Sequence, residues 1–147
     1  MKIFIGNDHT AVEMKNIITK HLEEQGFEVV NLGTDKDSSV DYPDFGKAVA
    51  REVVANKGSF GIIICGSGIG ISIAANKVEG ARAALAYEEQ GAMLARAHNN
   101  ANILALGARF IANQKALGLV DVFLSTEFEG DRHQKRIDKL TIEGQGK

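Results

Sequence analysis

A chain of 147 residues, 44% hydrophobic and 24% charged, can bury a substantial core and reads as one domain spanning 1–147. Its net charge is −2 and its basic residues are not massed in one block, which argues against nucleic-acid or membrane-surface partners. One cysteine cannot close an internal disulfide, and the N-terminal MKIFIGNDH lacks the apolar run of a signal peptide or a membrane span, so a cytoplasmic protein is expected.

Lys2 to Gly6 reads as a first buried strand, ended by Asn7-Asp8-His9. Thr10 and Glu13 have the spacing of a capping box, after which Met14, Ile17, Ile18 and Leu22 recur at helical intervals as far as Gly26. Glu28–Leu32 is a second strand, and Gly33–Asp41 a polar loop. Pro43 suits the first turn of a helix with Phe45, Val49 and Val53 on its apolar face. The third strand ends in Ile62-Ile63-Ile64-Cys65, and from Ile71 the pattern turns helical. Then come a strand over Ala81–Ala86, a helix over Glu88–Ala97, a strand over Ile103–Gly107, and a helix over Asn113–Leu124 with Leu117, Val120 and Leu124 inward. Asp131 is expected to cap a last helix, with Gln134 three residues on, and the tail from Glu143 to fray. Strands alternating with helices across short connections predict an α/β, Rossmann-like, doubly wound fold: about five parallel strands with helices on both faces.

The stretch FGIIICGSGIGISIAAN, residues 60–76, is the focus of the chain. Gly66, Gly68 and Gly70 allow a tight turn that aims several amides into one concavity, suited to an anion or a developing oxyanion. Cys65 stands at the junction of strand and loop, either as a reactive thiol or as a small buried hydrophobe. Ligands of parallel sheets bind beyond the carboxyl ends of the strands. That rule gathers Asp8 and His9, Cys65 and Ser67, and Arg109 at one crevice, although His9 and Asp8 could equally serve helix and backbone. His98, at the end of the fourth helix, could simply answer the helix dipole. Arg132 and Arg136, four apart on one helix face, suit an anion such as a phosphate, or a solvated basic face. His21 and His133 carry no separate signal. No CxxC, HExxH or carboxylate-rich loop is present, so no metal site is expected. The GSGIG loop is not a Walker A sequence.

Five segments in order, GNDH at 6–9, DYPDF at 41–45, ICGSGIGISIAANK at 64–77, ARAHNNANILALGAR at 95–109 and EGDRHQKR at 129–136, resemble the type B ribose-5-phosphate isomerases of the ribose/galactose isomerase family. The resemblance runs almost end to end. It implies interconversion of ribose 5-phosphate and ribulose 5-phosphate without metal or organic cofactor, by a homodimer or dimer of dimers whose sites are shared between subunits. It makes Cys65 the base that moves a proton between carbons 1 and 2, with Ser67 supporting the thiolate. The amides of Gly66, Ser67, Gly68, Ile69 and Gly70 would hold the enediolate oxygen, and His98 would help open the sugar ring. Asp8, His9, Tyr42 and Asn99 would hold hydroxyls, while Arg109, Arg132 and Arg136 would address the substrate, chiefly its phosphate. A branch of the family uses a glutamate six residues beyond the cysteine position; Ile71 stands there in this chain. Isomerases of allose 6-phosphate or galactose 6-phosphate are the alternatives within the family. A non-catalytic module binding a sugar phosphate or nucleotide is the alternative outside it.

Overall fold

The structure, a computed structural model, describes residues 1–144. Among them, strands β1 (Lys2–Asn7), β2 (Glu28–Asn31), β3 (Phe60–Cys65), β4 (Ala83–Leu85) and β5 (Ile103–Gly107) form one parallel sheet in the order β2-β1-β3-β5-β4. The helices are α1 (Val12–Glu24), α2 (Tyr42–Ala55), α3 (Ile69–Ala75), α4 (Glu89–Ala97), α5 (Asn113–Ser125) and α6 (Arg132–Ile137). Residues 145–147 of the tail expected to fray lie outside the described residues.

Successive strand residues face opposite sides of the sheet, and the core divides accordingly. Ile3, Ile5, Ile62, Ile64, Leu104 and Leu106 pack with α1, α4 and α5 on one face. Phe4, Ile63, Cys65, Ile103 and Ala105 pack with α2 and α3 on the other. Both faces are covered, which is why these strands read as continuous apolar runs rather than as alternating ones. The connections from β1 lead to β2 on one side, and from β2 back to β3 on the other. The carboxyl ends of the adjacent strands β1 and β3 therefore flank a switch point, where a crevice opens.

Several local expectations change. Asp8, not Thr10, supplies the first cap: its carboxylate accepts from the Thr10 amide at 3.0 Å and from the Thr10 hydroxyl at 2.6 Å. A short 3₁₀ turn, His9–Ala11, follows, and α1 begins only at Val12. β4 is three residues long because Asn102 and Asn76 side chains take the backbone N–H groups of Arg82 and Ala83 at 2.8 Å each. Helix α3 starts at Ile69 rather than Ile71. In α5 the fully buried residues are Ala116, Leu119, Val120 and Phe123, whereas Leu117 and Leu124 are only partly covered. Asp131 caps nothing with its side chain; its φ of 54° and ψ of −128° form a strained turn with Gly130, at φ 68°.

Lys15 is 1% exposed although it lies on α1 among apolar neighbours. Its ammonium is satisfied by the Thr34 carbonyl at 2.9 Å, by Asn31 and by Asp35. That cluster fastens the start of the loop between β2 and α2, and the ammonium holds the Asp35 carboxyl below its ordinary range. Farther along the loop the Val40 amide donates to His9 Nδ1 at 3.2 Å.

Candidate active site

The crevice at the carboxyl ends of β1 and β3 has a volume of about 470 Å³. Asp8, His9 and Thr10 come from the end of β1, Cys65, Gly66 and Ser67 from the end of β3, Arg109 and Phe110 from the segment after β5. Tyr42, at the start of α2, and Ile69 and Gly70, at the start of α3, complete the wall. The sequence marks Thr10 only as a capping residue and Phe110 not at all; their signal for the site is adjacency to Asp8-His9 and to Arg109.

Cys65 is 5% exposed and its Sγ accepts the Gly68 amide at 3.2 Å. That bond fixes the sulfur at the mouth of the turn; the thiolate is the form of a cysteine able to act as a base. Gly68 has φ 80°, and a Cβ there would stand 2.5 Å from Leu85 and 2.8 Å from the Leu106 backbone, so the turn admits no side chain. A Cβ on Gly70 would lie 2.5 Å from the Tyr42 ring. Ser67 Oγ accepts from the Ile69 amide at 3.1 Å, and the Ser67 carbonyl accepts from the Tyr87 hydroxyl at 2.8 Å. The loop is therefore rigid. The amides of Gly68 and Ile69 are already spoken for; those of Gly66, Ser67 and Gly70 have no acceptor among the described residues. These three are the donors free to meet an oxyanion.

Arg109 is drawn back over the loop, its amide donating to the Gly66 carbonyl at 2.9 Å, and a Cβ on Gly66 would touch its side chain at 3.3 Å. His9 receives the Val40 amide on Nδ1, so the neutral ring carries its proton on Nε2. Asp8 is 6% exposed, with one carboxylate oxygen committed to Thr10. Apolar walls, a sulfur held by an amide, a guanidinium and fixed polar groups can receive a small anionic, hydroxylated molecule and move a proton on it.

The structure places the other expected site residues elsewhere. The Arg96 guanidinium, near the end of α4, covers the ring of Phe60 at 4.7 Å, at the first residue of β3. His98 and Asn99 follow directly and so lie toward the amino ends of the strands. The length of β3, about 16 Å, separates that end of the sheet from Cys65. Asn99 lines a separate cavity of about 540 Å³ beside Arg82 and Leu140.

Around His98 a second cluster forms. Its ring stacks on His133 with centroids 4.3 Å apart and planes 16° from parallel. Glu129 Oε1 approaches His98 Nε2 at 3.9 Å and His133 Nε2 at 3.6 Å, and the Glu129 amide donates to the Ala97 carbonyl at 3.0 Å. Burial, then Arg132 and His98, hold the His133 imidazole below its ordinary range against the opposing pull of Glu129. Arg132 and Arg136 are exposed, and neither enters an ion pair among the described residues. His133, which carried no signal in the sequence, belongs to this cluster, whereas His21 pairs with Asp121 at 2.8 Å. The ligand-type atoms of His98, Glu129 and His133 lie within 4.8 Å of one another, a gathering that metal-motif spacing does not register.

The family model for Ribose/Galactose Isomerase matches residues 3–140. The ribose-5-phosphate isomerase B of Escherichia coli is 43% identical over 140 residues, covering 95% of this chain and 94% of that protein. The solved structure of Clostridium thermocellum ribose-5-phosphate isomerase B superposes with a TM-score of 0.93 at 49% identity, covering 95% of each chain. That of the Mycoplasma genitalium enzyme, with bound ribulose-5-phosphate, superposes at 0.92 with 49% identity, covering 95% of this chain and 93% of that one.

Proposed function

The chain belongs to the ribose/galactose isomerase family, and from that premise we propose that it interconverts ribose 5-phosphate and ribulose 5-phosphate. The observation that carries the reading is the Cys65 sulfur, held by the Gly68 amide in a crevice beside unengaged amides and Arg109. The thiolate takes the proton from carbon 2 of the open aldose, and the electron pair becomes the C1–C2 double bond. Charge develops on O1, where the amides of Gly66, Ser67 and Gly70 stabilise it; one such donor is worth about 3–4 kcal/mol of barrier. The thiol then returns its proton to carbon 1, and the O2 proton passes to O1, leaving the ketose. No electron leaves the sugar, so the chemistry calls for no redox cofactor. His9 and Asp8, with Tyr42, hold hydroxyls.

The remaining groups come from a second copy. His98, Asn99, Arg132 and Arg136 gather toward the opposite end of the strands from Cys65, about the length of β3 away, and so do not meet it within one chain. In a homodimer, or a dimer of dimers, the partner's amino-end cluster closes the crevice. There the arginines take the phosphate, and His98 assists ring opening. The whole acts as one sugar-phosphate isomerase domain per chain, in the cytoplasm. Among the described residues no helix is long and apolar enough to cross a membrane.

The test is turnover by the pure protein in excess chelator, on ribose 5-phosphate, allose 6-phosphate and galactose 6-phosphate. Catalytic efficiency highest on ribose 5-phosphate is expected. A preference for a six-carbon sugar would move the assignment within the family. Binding of all three without turnover would make the protein a non-catalytic module.

A further inference from the structure

Contacts around His98 lead one step further. His133 Nε2 is buried and without a hydrogen-bond partner among the described residues, and Glu129 is the carboxylate beside it. The three ligand-type atoms suggest an ion, but an imidazole lone pair lies in its ring plane. Two rings stacked 16° from parallel cannot both aim at one ion between them. A carboxylate set against two ring N–H groups suits the same arrangement better. The other charged groups about the pair, Arg132 and Arg136, are cationic and cannot accept a proton from either ring.

We infer that Glu129 is a positioning residue for sugar-ring opening: its carboxylate takes the Nε2–H of His98, with His133 as the stacking platform that fixes the ring plane. The inference rests on the ring-opening role proposed above for His98. The His98–Glu129 gap of 3.9 Å is one side-chain adjustment from a hydrogen bond. The Glu129 backbone is itself tied to the end of α4 by its bond to the Ala97 carbonyl. With Nε2 protonated and held, Nδ1 of His98 keeps its lone pair for the substrate. There it takes the anomeric hydroxyl proton, the C1–O4 bond breaks with its electron pair going to O4, and the same proton is handed on to O4. His98 ends as it began, and the sugar is an open aldehyde.

The chemistry of the two sugars provides the test. The aldose 5-phosphate is closed through O4. The 2-ketose 5-phosphate has its O5 esterified and no hydroxyl placed to close a furanose, so it is always open. Exchange of its C1 proton with solvent therefore needs the thiolate and the loop but no ring opening. Glu129→Gln, Glu129→Asp and His98→Asn are assayed for forward turnover of ribose 5-phosphate, and for deuterium entry at C1 of ribulose 5-phosphate in D₂O by NMR. For Glu129→Gln, forward turnover should fall at least about 10-fold. Exchange should stay within about threefold of wild type, which also shows the site to be folded. Glu129→Asp, which restores the charge, should recover part of the forward rate. If His98→Asn slows the forward reaction selectively while Glu129→Gln does not, the role of Glu129 is wrong and that of His98 stands. Equal loss of both rates in Glu129→Gln makes the residue merely structural and overturns the inference. A forward rate untouched in His98→Asn removes the ring-opening role itself, and the inference with it.

Discussion

The two ends of the sheet are built on different terms. At the carboxyl end, Cys65, Gly68, Ser67, Asp8 and His9 each have a partner within the chain, and Cys65 and Asp8 are nearly buried. At the amino end, two exposed arginines, a half-exposed carboxylate and a stacked histidine pair gather without close side-chain hydrogen bonds among the described residues. The first arrangement is finished by its own fold: its donors are aimed before any ligand arrives, and little ordering remains to be done on binding. The second leaves two guanidiniums without an ion-pair partner among the described residues, open to an anion. The proposed division of the site between two copies would draw on both ends.

Cys65→Ala strikes the finished end hardest. It should lower kcat by about two to four orders of magnitude while costing only about 1–2 kcal/mol of stability, measured by steady-state kinetics and denaturant unfolding. A variant that isomerises at nearly the wild-type rate would make the cysteine a packing residue. The division of the site is tested by mixing Cys65→Ala and His98→Asn proteins through partial unfolding and refolding. Each is expected to be poor alone, but a mixed dimer holds one site with both native residues, so activity should return to about a quarter of wild type. No recovery, with mixed dimers proven by mass spectrometry, would mean that the two ends serve separate sites.

Arg132→Ala sharpens the contrast, because an exposed arginine should matter to substrate and not to the fold. KM for ribose 5-phosphate should rise by the equivalent of about 1.5–3 kcal/mol, with the melting temperature unmoved. A lowered melting temperature with KM unchanged would place Arg132 in the fold instead. The smallest effect concerns the loop anchored by Lys15. Asp35 has its folded pKa held below the ordinary 3.8 by that lysine, so its contribution to stability is present above that value and lost as pH falls through the folded pKa. Asp35→Asn should therefore be slightly less stable than wild type at pH 7, with the difference shrinking below about pH 4. Thermal unfolding at both values checks it. A difference that grows in acid would reverse the sign of the coupling.

Local pattern explains why the finished end was readable. Asp8, His9, Cys65, Ser67 and Arg109 each stand at or within two residues of the end of an apolar strand, and the parallel topology brings strand ends together without knowledge of any side-chain contact. Where side chains compete for backbone groups, the structure departs from the local pattern. Asp8 rather than Thr10 caps the first turn, and Asn102 and Asn76 shorten β4. Both outcomes depend on which polar atom lies nearest an amide in three dimensions, which periodicity does not record.

From the sequence alone follow the alternation of strand and helix, the two-sided burial of the sheet, and the thiol beside a glycine turn. Each is a consequence of residue type at short range. Tertiary structure decided the rest. It set His98 on His133 near the turn at Gly130-Asp131, put Glu129 at the edge of both rings, buried Lys15 against Thr34 and Asp35, and spread the expected site over both ends of one sheet. Those placements join residues far apart in the chain, so they are dictated by how helices dock on the sheet, and no spacing along the sequence carries that information.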